Sequence, residues 1–180
     1  MIDFSEIYSN NCNKISDIFK HLPTLYNYSK DCRHITEFGV RDGLSTSAFL
    51  YANPLRLVSY DLGLSPVVCK WFDYAKSINK NYDYIESDVL NITIENTDFL
   101  FIDTLHTYNQ LSQELTLHGN KVSKFIAFHD TLTYGNKGEI FGERGLKPAI
   151  NEFLKQNPNW QIDYEVAFNH GLTIIKNHQS

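Results

Sequence analysis

The chain has 180 residues, a length that suits one domain, residues 1–180, built on one sizeable core. Hydrophobic residues make up 42% and charged residues 21%, the composition of a soluble globular protein. A net charge of −5 offers no polyanion-binding surface and argues against nucleic acid as a partner. No apolar stretch is long enough to span a bilayer, and Met1-Ile2-Asp3-Phe4-Ser5-Glu6 lacks the basic start and apolar run of a signal peptide, so a cytoplasmic location without membrane contact is expected.

Residues 1–30 read as mostly helical, with Ile15, Ile18, Phe19 and Leu22 at helical spacing before Pro23, and form a candidate cap over the site. From there strands and helices alternate. Strands are expected over residues 34–38, 56–60, 82–86, 98–102 and 124–128, and helices over 44–52, 66–78, 108–118 and 146–156. Pro66 and Pro148 fall in helical first turns, a favoured place for proline. Residues 161–168 and 172–176 read as two strands joined by Asn169-His170-Gly171, an antiparallel hairpin at the sheet edge. The order implies an α/β fold, a Rossmann-like doubly wound sheet of about seven strands, mostly parallel with a C-terminal antiparallel hairpin. Cys12, Cys32 and Cys69 are widely spaced, fit no zinc pattern, and read as structural thiols.

The first strand opens into Glu37-Phe38-Gly39-Val40-Arg41-Asp42-Gly43-Leu44-Ser45. Gly39 permits a sharp turn, and Gly43 permits close approach of backbone to a ligand as the next helix begins. A dinucleotide site prefers G-x-G-x-x-G, but Arg41 stands where the second glycine of that pattern would be. Glu37 beside the turn suits a cationic or hydroxyl-bearing ligand better than a phosphate. Asp61, at the end of the second strand, can accept both ribose hydroxyls of an adenosine, or serve as a loop acid or helix cap. After the third strand, Asp88 can accept an exocyclic amine while Val89 packs on a ring.

Two further apolar runs stop at titratable groups. Asp98-Phe99-Leu100-Phe101-Ile102 breaks into Asp103-Thr104-Leu105-His106-Thr107-Tyr108, and Lys124-Phe125-Ile126-Ala127-Phe128 breaks into His129-Asp130-Thr131. In a parallel sheet both stops fall at the carboxyl edge, where Asp103, His106, His129 and Asp130 would share one crevice. That is enough for a divalent metal and a general base.

The glycine loop resembles motif I of class I S-adenosylmethionine-dependent methyltransferases. The segments I-D-x-x-H-x-Y (Ile102–Tyr108) and H-D-T (His129–Thr131) resemble a subgroup that includes sugar O-methyltransferases and proteins called cephalosporin hydroxylases. Gly145–Leu154 and Asn169–Leu172 resemble its C-terminal elements, so the likeness covers residues 35–176 in order. The resemblance implies S-adenosyl-L-methionine bound by Glu37, Gly39, Gly43, Ser45, Asp61, Asp88 and Val89. It implies a divalent metal, Mg2+ or Mn2+, on Asp103 and Asp130 with His129 as a third ligand, and His106 as the base. Family members often carry an acid where His129 sits, which leaves the metal's identity open, since imidazole tilts toward Mn2+ or Fe2+. The implied reaction is metal-assisted O-methylation of a sugar hydroxyl on a glycan or glycosylated metabolite. Alternatives are a catechol-like acceptor, an iron- or NAD-dependent oxidoreductase, and a cofactor-binding module without turnover. The oligomeric state stays open, a homo-oligomer included.

The long polar segment 133–145 follows the second cluster directly and reads as a lid or acceptor loop, in which Tyr134, Phe141 and Arg144 are candidates to contact a sugar. His170 is a further candidate near the acceptor.

Overall fold

The computed structural model of the chain describes residues 1–179. Seven strands form one sheet: β1 (His34–Phe38), β2 (Arg56–Asp61), β3 (Asn81–Glu86), β4 (Thr97–Ile102), β5 (Val122–His129), β6 (Trp160–Val166) and β7 (Leu172–Asn177). Their spatial order is β3-β2-β1-β4-β5-β7-β6. β3 through β5 run parallel, and β7 inserts antiparallel between β5 and β6. The expected sheet, terminal hairpin included, is therefore the observed one.

The helices are α1 (Phe4–Asn13), α2 (Leu22–Ser29), α3 (Leu44–Ala52), α4 (Pro66–Ser77), α5 (Tyr108–His118) and α6 (Leu146–Gln156). Each begins or ends for a local reason. Pro66 opens α4, the Thr107 side chain accepts the Gln110 N–H at the start of α5, and α3 is flanked by Gly43 and Asn53 in the left-handed region. Among the described residues no helix is long and apolar enough to cross a membrane.

Strand parity builds two cores. Phe99 and Phe101 of β4 join Ile35, Phe49 and Phe72 on the face covered by α1–α4. Leu100 and Ile102 join Leu111, Phe128 and Ile150 on the face covered by α5 and α6. Burial on both faces explains why β4 and β5 read as continuous apolar runs. Phe99 and Phe101 are fully buried, and each contributes on the order of 2–3 kcal/mol by area removed from water.

The N-terminal segment departs from the expected pattern. Residues 14–18 are not helical, Ile15 is exposed, and Pro23 lies inside the first turn of α2 rather than ending a helix. The link is fixed by tertiary contacts instead: Asn169 donates to Ser16 O at 2.8 Å and accepts the Lys20 N–H at 2.9 Å. The tip of the β6–β7 hairpin thus clamps the N-terminal segment beside the carboxyl edge of the sheet.

Candidate active site

The strand order reverses between β1 and β4, and the crevice opens there. Asp103 follows β4 directly, and its N–H donates to Phe38 O at 2.9 Å. His129 is the last residue of β5, one place further than the sequence suggested, and Asp130 follows it with a φ of +59°. That left-handed turn is strained for a residue with a side chain. It swings the Asp130 carboxylate back toward β4.

The four groups meet. His106 Nε2 lies 3.1 Å from Asp103 Oδ1 and 3.1 Å from Asp130 Oδ2. His129 Nδ1 lies 3.3 Å and 3.4 Å from the same two oxygens. Burial alone would raise Asp103, but the hydrogen bonds and charges of His106 and His129 overcome it and hold the carboxyl down to about 2. Asp130 is lowered in the same way, against the same burial effect. Burial alone would lower both imidazoles, yet the two carboxylates push each up to about 10.

Asp103, His129 and Asp130 each offer one ligand atom within 4.8 Å of the others. Metal–ligand bonds of ~2.0–2.2 Å give ligand–ligand edges of roughly 3.0–3.4 Å, and His129 Nδ1 stands 3.3 and 3.4 Å from the two carboxylate oxygens. Two carboxylates and an imidazole fit a divalent cation such as Mn2+ and do not demand a thiophilic one.

A cavity of about 500 Å³ runs along the crevice from Asp88, Val89 and Leu90 past Tyr60 and Asp61 to Asp103 and His106. Gly39, Ser45, Asp61, Asp88 and Val89, five of the seven residues expected at the cofactor, line it. Asp61 also accepts the N–H groups of Val40 and Arg41 at 2.7 and 2.9 Å, so it braces the glycine loop. Asp88 caps the short 3-10 turn Val89–Asn91 by accepting the Leu90 N–H at 2.9 Å.

Two of the expected cofactor residues lie elsewhere. Gly43 is not on the cavity wall; a Cβ there would meet Val68 and Trp71 of α4, so its bareness serves helix packing. Glu37 is fully buried under α3 and accepts hydroxyls from Ser45 and Ser59 at 2.6 Å each and from Thr46 at 2.9 Å. It shares strand parity with Ile35, which points into the α1–α4 core, and that parity was the missed signal. Glu37 ties β1, β2 and α3 together behind the cavity.

Burial raises the Glu37 carboxyl from 4.5 to about 7, against the lowering effect of its three hydroxyl partners. A raised acid favours the folded state in its protonated form. Its contribution is therefore full below 4.5 and lost as pH rises through 7, about 3 kcal/mol in all. Urea unfolding of wild type and Glu37→Gln between pH 4.5 and 8 should give curves that differ in slope across that window. Parallel curves would show that Glu37 is not raised.

Two residues at the site, Glu139 and His21, were not singled out from the sequence. Glu139 Oε2 lies 2.9 Å from His106 Nδ1 and also accepts the His106 N–H at 3.4 Å, so it orients the ring. Tyr134, expected to contact a sugar, stacks on His106 with centroids 4.8 Å apart. Arg144 lies over the Tyr108 ring and 3.6 Å from Glu152, away from the cavity wall, whereas Phe141 is fully exposed at the loop tip. His170 Nδ1 comes within 3.5 Å of Asp130 Oδ1. His21, which had no context in the sequence, is buried with its ring 5.6 Å from that of His129.

No family model matches the chain, and no curated protein matches it by sequence. Solved structures match it in fold. A Staphylococcus aureus protein assigned as a caffeoyl-CoA O-methyltransferase is 14% identical with a TM-score of 0.63, over 98% of this chain and 93% of that one. A Klebsiella pneumoniae protein assigned as an O-methyltransferase is 13% identical with a TM-score of 0.67, over 97% and 89%. The N-methyltransferase NodS from Bradyrhizobium japonicum, solved with S-adenosyl-L-homocysteine, is 12% identical with a TM-score of 0.65, over 98% and 99%. The chain has the Rossmann-like fold of methyltransferases that act on oxygen and on nitrogen alike, so the acceptor is read from the site and not from the fold.

Proposed function

We propose that the chain is an S-adenosyl-L-methionine-dependent O-methyltransferase that uses Mg2+ or Mn2+ and methylates a sugar hydroxyl on a glycan or glycosylated metabolite. The observation that carries this is the single cavity joining Asp61, Asp88 and Val89 to Asp103 and His106. One space thus puts the residues proposed for adenosine beside Asp103 and His106. Five acids on its wall, Asp42, Asp61, Asp88, Asp103 and Glu139, suit a ligand that carries sulfonium and ammonium charge. They suit the pyrophosphate of a dinucleotide poorly.

The cofactor, when bound, supplies the electrophilic methyl group. A cation held by Asp103, His129 and Asp130 would lower the pKa of the acceptor hydroxyl. His106 takes the hydroxyl proton at Nε2, with Glu139 holding Nδ1 and Tyr134 stacked on the ring. Asp103 and Asp130 are what keep His106 protonated in the free protein. Were they to hold a cation, less of their charge would act on His106, and the imidazole would be free to accept a proton. Vicinal sugar hydroxyls can chelate such a centre, and so can a catechol.

Calorimetry with S-adenosyl-L-methionine, followed by labelled methyl transfer to a panel of sugars and catechols, tests the proposal. Cofactor binding is expected, with turnover that stops on chelation and returns with Mn2+. Absence of cofactor binding would remove the proposal, and binding without turnover on any acceptor would leave a cofactor-binding module. Turnover that survives chelation would remove the cation alone.

A further inference from the structure

Arg41 lies in the glycine loop with a φ of +49°, a conformation that glycine adopts without steric cost. Gly39 and Gly43, two residues away on either side, use that freedom, whereas Arg41 holds a long side chain in the same left-handed region. The backbone there gives no reason for an arginine, so the reason lies in the side chain. Nη2 donates to Asp17 Oδ1 at 2.9 Å and to Oδ2 at 2.7 Å. Nε and Nη1 have no partner among the described residues. Asp17 belongs to the link between α1 and α2, and its neighbour Ile18 lines the cavity. Asp17 therefore holds one edge of the largely exposed guanidinium, on a residue that lines the cavity, and leaves donors free.

Among the described residues that line the cavity, Arg41 is the only lysine or arginine, against five acids. The amino-acid end of S-adenosyl-L-methionine carries an ammonium and a carboxylate. The acids can serve the ammonium and the sulfonium, but the carboxylate needs a cation. Sheet order puts the loop after β1 between the adenosine side, at the ends of β2 and β3, and the Asp103 cluster after β4. The amino-acid end, which branches from the sulfur, falls there.

We propose that Arg41 binds the cofactor carboxylate and that Asp17, from the N-terminal segment, is its positioning residue. This rests on the cofactor proposed for the cavity. It makes the N-terminal segment part of cofactor recognition and not only a cover.

The test compares S-adenosyl-L-homocysteine with 5′-methylthioadenosine, which keeps the adenosine and thioether but lacks the amino-acid end, by calorimetry on the full chain. Arg41→Gly keeps the left-handed backbone, so the variant should fold. It is expected to weaken S-adenosyl-L-homocysteine ~10–100-fold and to leave 5′-methylthioadenosine within about twofold, as loss of one charge-assisted contact predicts. Arg41→Lys should recover part of that loss, because it restores charge without the planar fork. Asp17→Asn should cost roughly threefold for S-adenosyl-L-homocysteine alone, the scale of a partly exposed ion pair. If Arg41→Gly weakens both ligands equally, or neither, the assignment of Arg41 is overturned while the cofactor stands. If the unaltered chain binds neither ligand, the cofactor is overturned and Arg41 loses its partner with it.

Discussion

Replacing Asp103 with asparagine is expected to lower kcat for methyl transfer by ~10³-fold or more, the combined scale of losing a charged cation ligand and the groups it orients. Asp103 Oδ1 is shared by His106 and His129, at 3.1 and 3.3 Å, so one oxygen organises both imidazoles. Asparagine keeps the shape and one acceptor oxygen, which preserves the local fold. It removes the negative charge that helps push each histidine up to about 10. It also leaves a cation one carboxylate short. Binding of S-adenosyl-L-homocysteine should stay within a few-fold, because the contacts proposed for adenosine, Asp61, Asp88 and Val89, lie further along the cavity. Titration with Mn2+ followed by electron paramagnetic resonance should show weaker metal binding in the variant. Full activity in Asp103→Asn would exclude the cluster from the chemistry. Loss of cofactor binding together with activity would mean that Asp103 serves the fold.

The carboxyl-edge cluster was legible because two features coincided. β4 and β5 are buried on both faces, so their apolar runs mark strand ends sharply, and the polar residues after those ends had only the crevice to occupy. What was not legible was set by loop path and not by periodicity. Glu139 reaches His106 from 33 positions away because the 135–145 segment folds back on itself. Gly138 N donates to Glu143 O, Lys147 N to Gly135 O, and Glu139 N to His106 O. No pattern of polar and apolar residues encodes that path. His21 meets His129 because Phe168 and Asn169 carbonyls hold its Nε2 at 3.1 and 2.8 Å. Docking of the N-terminal link on a hairpin tip is a tertiary event between segments nearly 150 positions apart. Glu37 is the opposite case. Its alternation with Phe38 along β1 placed it under α3, facing Ser45 and Thr46, and a reading by strand parity would have separated it from the residues on the cavity wall.

Gly39→Ala should be a severely damaging single-methyl change, and its effect should reach the site through the backbone. Gly39 has a φ of +83°, and a Cβ there would lie 2.0 Å from the carbonyl oxygen of Asp103 and 2.8 Å from its carbonyl carbon. Neither atom belongs to a side chain that can rotate away. The loops after β1 and β4 would have to part, against the Asp103 N–H to Phe38 O and Gly39 N–H to Tyr60 O bonds, both 2.9 Å. Left-handed backbone in a non-glycine residue costs ~1–2 kcal/mol, and overpacking adds ~1–3 kcal/mol, so a loss of about 3 kcal/mol or more in unfolding free energy is expected. The displaced atoms belong to Asp103 itself, so cofactor binding and turnover should fall with stability. Two other glycines grade the claim. At Gly43 the obstructing atoms belong to the side chains of Val68 and Trp71, which can shift, so Gly43→Ala should cost less despite its φ of +77°. At Gly63 a Cβ meets nothing within 4 Å, so Gly63→Ala should be close to neutral. Urea midpoints should rank Gly63→Ala above Gly43→Ala above Gly39→Ala. A Gly39→Ala protein as stable as Gly63→Ala, with cofactor affinity intact, would mean that the β1 and β4 loops are not in the contact that places Asp103.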